Sequence, residues 1–191
     1  MENPNDMNLE KWQIDIYYSS NHPLKDNLII GKVSSSLRKN LNIVLVVNET
    51  FMRQHCERIA TVKYQHNGCG VILTRDAALQ LLKGDQTIKY IIWHEIGHIA
   101  NGDYKQDKKS ESNMGERFKN VMVGKVSPEE LAADLFAAKN TSKDVALNAL
   151  ECSKKKRIFD DTLAHHENDS ISKLAIQEYC MRIQAIKDAK I

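Results

Sequence analysis

No apolar stretch in this chain approaches the roughly 18 residues of a membrane-spanning helix. The opening residues, Met1-Glu2-Asn3-Pro4-Asn5-Asp6, also lack a basic region followed by an apolar one. The expectation is a cytoplasmic protein without membrane insertion. An excess of one charge is missing too, since 27 Lys+Arg stand against 25 Asp+Glu for a net charge of +2. So small a surplus supports neither a nucleic-acid groove nor an anionic membrane surface as the main partner. The one basic run, Lys154-Lys155-Lys156-Arg157, reads as a solvated helix face. Cys56, Cys69, Cys152 and Cys180 form no CxxC pair, which argues against a cysteine zinc site and for reduced core thiols. Nothing in the composition suggests fibre, collagen or disorder.

What is present is His94-Glu95-Ile96-Gly97-His98, the HEXXH spacing. On an α-helix the two histidines fall at i and i+4 on one face, where two imidazoles can hold one Zn²⁺ and the intervening carboxylate can serve as a base. The surrounding helix, Ile88 to Ala100, is apolar almost all round and is expected to be buried. Unpartnered polar side chains inside such a helix are expensive, and a metal would satisfy all three at once. Gly97 fits the same reading, because a missing side chain lets another backbone pass close by.

The pattern along the chain predicts an α+β fold. Trp12–Tyr18 alternates as a strand, Leu28 to Leu41 carries helical spacing at Leu28, Val33, Leu37 and Leu41, and Asn42–Val47 reads as a buried strand. A short helix follows at Phe51–Arg58. Ile59–Tyr64 and Cys69–Thr74 flank Gln65-His66-Asn67-Gly68 as a hairpin, and Ala77–Lys83 is helical. Asn101-Gly102 stops the metal helix. Asp103–Lys125 is polar and poorly patterned, a loop with one short helix at Glu116–Val123. Helices are expected at Pro128–Asn140, Lys143–Phe159 and Ser172–Lys187, with a break near His165–Asp169.

A catalytic zinc takes three protein ligands and leaves one position for water. Tyr104 stands where a third histidine of one large class would sit, so the search turns to a carboxylate on a separate helix. The segment Ser127-Pro128-Glu129-Glu130-Leu131-Ala132-Ala133-Asp134 places Glu130, Ala133, Asp134 and Ala137 on one face. Glu130 is then the third ligand and Asp134 the group that orients a ligand histidine. The competing role for Glu130 is a capping box with Ser127, and Asp103, Glu111 and Glu116 are the other candidate carboxylates.

These two motifs resemble the HExGH…ExxAD pattern of gluzincin-type metallopeptidases. The segment is similar to the soluble core of the HtpX and CAAX-prenyl endopeptidase family, and also to the ImmA/IrrE-type peptidases. The likeness spans roughly residues 42–140. The membrane helices of the first group are absent, and Leu131 and Ala132 stand where the second usually has acidic residues. The resemblance implies a small mixed or antiparallel sheet with an exposed edge strand over the active-site helix, a third-ligand helix, and here a helical C-terminal tail. It implies a catalytic domain at 1–140 with an extension at 141–191. The implied activity is a zinc metalloendopeptidase with one Zn²⁺ per chain and Glu95 as general base. An extended protein or peptide substrate would pair with Gly70, Val71, Ile72 and Leu73. Tyr104, His165, His166, Tyr179 and Arg182 are candidate donors to the tetrahedral intermediate. Alternatives are an ImmA/IrrE-like regulatory protease acting on one partner protein and a catalytically silent zinc-binding module.

Overall fold

The computed structural model describes residues 10–18, 23–55, 59–65, 68–103, 119–164 and 169–191. The fold is α+β, and the chain forms two compact units, 1–82 and 83–191. The helices after residue 140 fall in the same unit as the HEXXH helix.

The first unit is a five-stranded mixed sheet with two helices. β1 (Trp12–Ile16), β2 (Leu28–Ser35), β3 (Ile43–Val47), β4 (Ala60–Gln65) and β5 (Gly68–Leu73) lie in the order β1-β2-β3-β5-β4. Only the β3/β5 pair is parallel. Ile43, Leu45 and Val47 alternate with half-buried Val44 and Val46, so the period of two buries one face of β3 completely. The other two elements are α1 (Glu49–His55) and α2 (Arg75–Leu82). Asp26 ties them to the sheet: its carboxylate accepts the Glu49 and Thr50 backbone N–H groups at 3.0 and 3.1 Å and pairs with Arg75 at 3.2 Å.

Three expectations change here. Leu28 to Ser35 is a strand, not the start of a helix. The register shift at Ile29/Gly31 breaks strict alternation, so buried Ile30 and Val33 are spaced as a helix would space them. Gly70, Val71, Ile72 and Leu73 are not on an edge. They pair with β3 on one side and β4 on the other, which uses their backbone donors and acceptors and leaves the open edges to β1 and β4. Of the cysteines, Cys69 is a buried thiol that burial makes harder to ionise, whereas Cys152 and Cys180 are exposed and Cys56 lies outside the described residues.

The second unit contains α3 (Gln86–Asn101), α4 (Pro128–Asn140), α5 (Lys143–Leu163) and α6 (Ser170–Asp188). α3 begins where the Asp85 side chain accepts the Ile88 N–H and ends at Gly102, whose left-handed φ of 81° suits a residue without Cβ. α4 packs against α3, α5 and α6, and α5 packs against α3 and α6. The α3/α4 contact is unusually close. A Cβ on Gly97 would sit 2.9 Å from Ala133 Cα and 3.1 Å from its carbonyl oxygen, so the missing side chain is what admits the α4 backbone. The expected short helix at Glu116–Val123 is described only in part, with residues 119–122 helical, and residues 104–118 of the expected loop lie outside the described residues.

Candidate metal centre

The α3/α4 approach brings three donor side chains together. One ligand atom from each of His94, His98 and Glu130 lies within 4.8 Å of the other two, and this group could hold a metal ion. All three are partly buried. The two imidazoles come from one face of α3, one helical turn apart, and their Nε2 atoms face each other at 3.2 Å. Glu130 enters from α4 with Oε2 at 3.5 Å from His94 Nε2.

The far side of each ring is held by its own carboxylate. His94 Nδ1 lies 2.8 Å from Asp134 Oδ1, and His98 Nδ1 lies 2.7 Å from Asp103 Oδ2. A carboxylate accepts, so each Nδ1 carries the proton and each neutral ring turns a bare Nε2 lone pair toward the other. Two lone pairs at that distance repel unless a cation lies between them. Two nitrogens bound at 2.0–2.1 Å to one tetrahedral zinc stand about 3.3 Å apart, close to the observed separation. Burial pulls the His94 pKa down, but hydrogen bonds and charge from Asp134 and Glu130 outweigh it and raise the value to about 9.

Asp134 anchors the arrangement with no exposed surface. Its Oδ1 accepts the Tyr90 hydroxyl at 2.7 Å, the His94 ring and Arg182 Nη2 at 2.6 Å, while Oδ2 accepts Arg182 Nε at 2.6 Å. Burial alone would raise its pKa; the charge and hydrogen bonds of Arg182, with His94, hold the carboxyl well below the usual range. The same burial, with Asp134 beside it, keeps the Tyr90 hydroxyl protonated. Arg182 spends its remaining nitrogen on Glu130, with Nη1 at 3.0 Å from Oε2.

The expected ligands thus come together, and the other candidates fall elsewhere. Ser127 makes no side-chain cap, because its hydroxyl donates to Glu129 at 2.6 Å, and Glu130 is turned to His94 rather than serving as half of a capping box. Asp103 holds the back of His98 and is not in the ligand group. Glu95 is buried on α3 beside the ligands. Arg182 is committed to two carboxylates, a different place from that of a donor waiting for substrate, and the Tyr179 ring lies 5.5 Å from its guanidinium carbon. Tyr104, His165, His166, Glu111 and Glu116 lie outside the described residues. Sequence reasoning missed Tyr90 and the orienting role of Asp103. Tyr90 had a signal, since it precedes His94 by four residues on the same helix face.

Compared with family models, curated proteins and solved structures, the chain has no match in any of the three. Among the described residues, no helix is long and apolar enough to cross a membrane.

Proposed function

We propose that the protein is a zinc-dependent endopeptidase, with His94, His98 and Glu130 as the metal ligands and Glu95 as the general base. The observation that carries this reading is the pair of Nε2 atoms facing each other at 3.2 Å, each ring tied down at Nδ1, with Glu130 closing the third side. Three protein ligands leave a tetrahedral ion one open position, which is the arrangement of a catalytic and not a structural zinc. The likeness of the two motifs to the gluzincin pattern supports the same conclusion.

When bound, zinc supplies Lewis-acid chemistry: it polarises a carbonyl oxygen and makes a water molecule acidic near neutral pH. The chain supplies the rest. His94 and His98 present fixed nitrogens because Asp134 and Asp103 set their tautomers. Glu95 takes the proton of the attacking water and returns it to the leaving amine. Its place between the two histidines argues against a silent zinc module, which has no use for a base. The substrate class is a protein or peptide.

The test is cleavage of unfolded casein and a generic fluorogenic peptide by the zinc-loaded chain and by Glu95→Gln. Wild type should cleave, lose activity to a chelator and regain it with zinc. Glu95→Gln should keep its zinc and lose turnover by about two to four orders of magnitude. Full zinc loading without cleavage by wild type would establish the silent module instead.

A further inference from the structure

We propose that Arg182, on the last helix, is the positioning residue of the metal centre, setting metal affinity by fixing two of its three ligands at once. The inference rests on the reading of His94, His98 and Glu130 as metal ligands and deepens it.

The argument starts from α4. Glu130 and Asp134 are four residues apart on one helix face, and two carboxylates in that relation repel each other. Both are largely or wholly buried, so water does little to relieve the repulsion. Arg182 is buried as well, with 6% of its surface exposed, and its planar fork spans the pair. Nε and Nη2 each reach one oxygen of Asp134 at 2.6 Å, and Nη1 reaches Glu130 Oε2 at 3.0 Å.

The oxygens it holds are the ones that matter. Glu130 Oε2 is the atom facing His94 Nε2, and Asp134 Oδ1 is the atom that holds His94 Nδ1. One guanidinium therefore sets the Glu130 carboxylate directly and the His94 ring through Asp134. Neither ligand can turn away without breaking a charge-assisted hydrogen bond. The metal centre is consequently built from three helices, α3, α4 and α6.

Two substitutions separate position from charge. Arg182→Lys keeps the cation but cannot make three directed bonds, and Arg182→Met removes the cation as well. A chromophoric chelator competing for zinc gives the affinity, and circular dichroism reports the fold. Loss of position weakens zinc binding at least about tenfold in both folded variants. If the guanidinium acted only as a positive charge, Arg182→Lys would match wild type and Arg182→Met would bind zinc more tightly, and either result overturns the proposal. A lowered melting temperature with unchanged affinity also overturns it, since that marks a purely structural ion pair.

If neither variant folds, the wild-type chain carries the test. The buried Arg182 Nε–H gives a slowly exchanging proton resonance that must move as zinc is titrated, and an unmoved resonance in the zinc-loaded protein overturns the proposal. Wild-type protein that binds no zinc overturns both this inference and the function on which it rests, whereas zinc-binding wild type with equally tight variants overturns this inference alone.

Discussion

Each ligand histidine depends on one carboxylate, and the two carboxylates differ in burial, which gives them different expected phenotypes. Asp103 is partly exposed and holds His98 at Nδ1. Asp103→Ala should lower zinc affinity about 10- to 100-fold with little change in melting temperature. Asp134→Ala should unfold the chain more readily, because it leaves the buried Arg182 with Glu130 alone and the Tyr90 hydroxyl without its acceptor, a loss of about 3–5 kcal/mol. Chelator competition and thermal melting on the same two samples check the pair; equal effects on both readouts would refute the division of roles. The candidate ligand group was legible in the sequence because its spacing is local: His94 and His98 lie one turn apart, and Glu130 and Asp134 repeat that spacing on α4. Arg182 was not legible as their partner, because 48 residues separate it from Asp134 and no helical period links them.

At the scale of elements, the site depends on how closely α4 approaches α3, and Gly97 sets that approach. Gly97→Ala gains about 1 kcal/mol of helix propensity. Against this, a methyl pressed on the Ala133 backbone costs about 1–3 kcal/mol, because backbone cannot swing aside as a flexible side chain can. The clash wins, and its relief moves α4 and Glu130 away from His94. The variant should melt at a lower temperature and bind zinc more weakly; a melting temperature above wild type with intact zinc binding would show that α4 has room. The helices were readable from their apolar period and stop signals, Gly102 above all. The strand at Leu28 was not, because the helical spacing ran on through Leu37 and Leu41, which lie beyond its end at Ser35, while the bulge at Ile29/Gly31 broke the period of two within it. The position of β5 inside the sheet was equally hidden, since a parallel partner such as β3 leaves no turn signature between adjacent runs.

At the scale of the whole molecule, the candidate site residues all fall within 83–191, whereas 1–82 carries an acid-sensitive contact of its own at Asp26. Asp26 has its pKa lowered from 3.8 to about 2, first by the hydrogen bond from the Thr50 hydroxyl and, against the opposing effect of desolvation, by the Glu49 and Thr50 backbone N–H groups and by Arg75. A folded-state pKa below the unfolded one means stability that is present above about pH 4 and is lost as pH falls toward about 2. Asp26→Asn should therefore lower the melting temperature at neutral pH and flatten its decline between those limits; parallel wild-type and variant curves would remove Asp26 as the cause. The claim on which the account turns is that one ion sits among His94, His98 and Glu130. Anomalous diffraction at the zinc edge from crystals of the zinc-loaded chain tests it most directly. The account predicts one peak within about 2.0–2.2 Å of His94 Nε2, His98 Nε2 and a Glu130 carboxylate oxygen, and a peak elsewhere, or one ligated by Asp103 or Glu95 in place of Glu130, would contradict it.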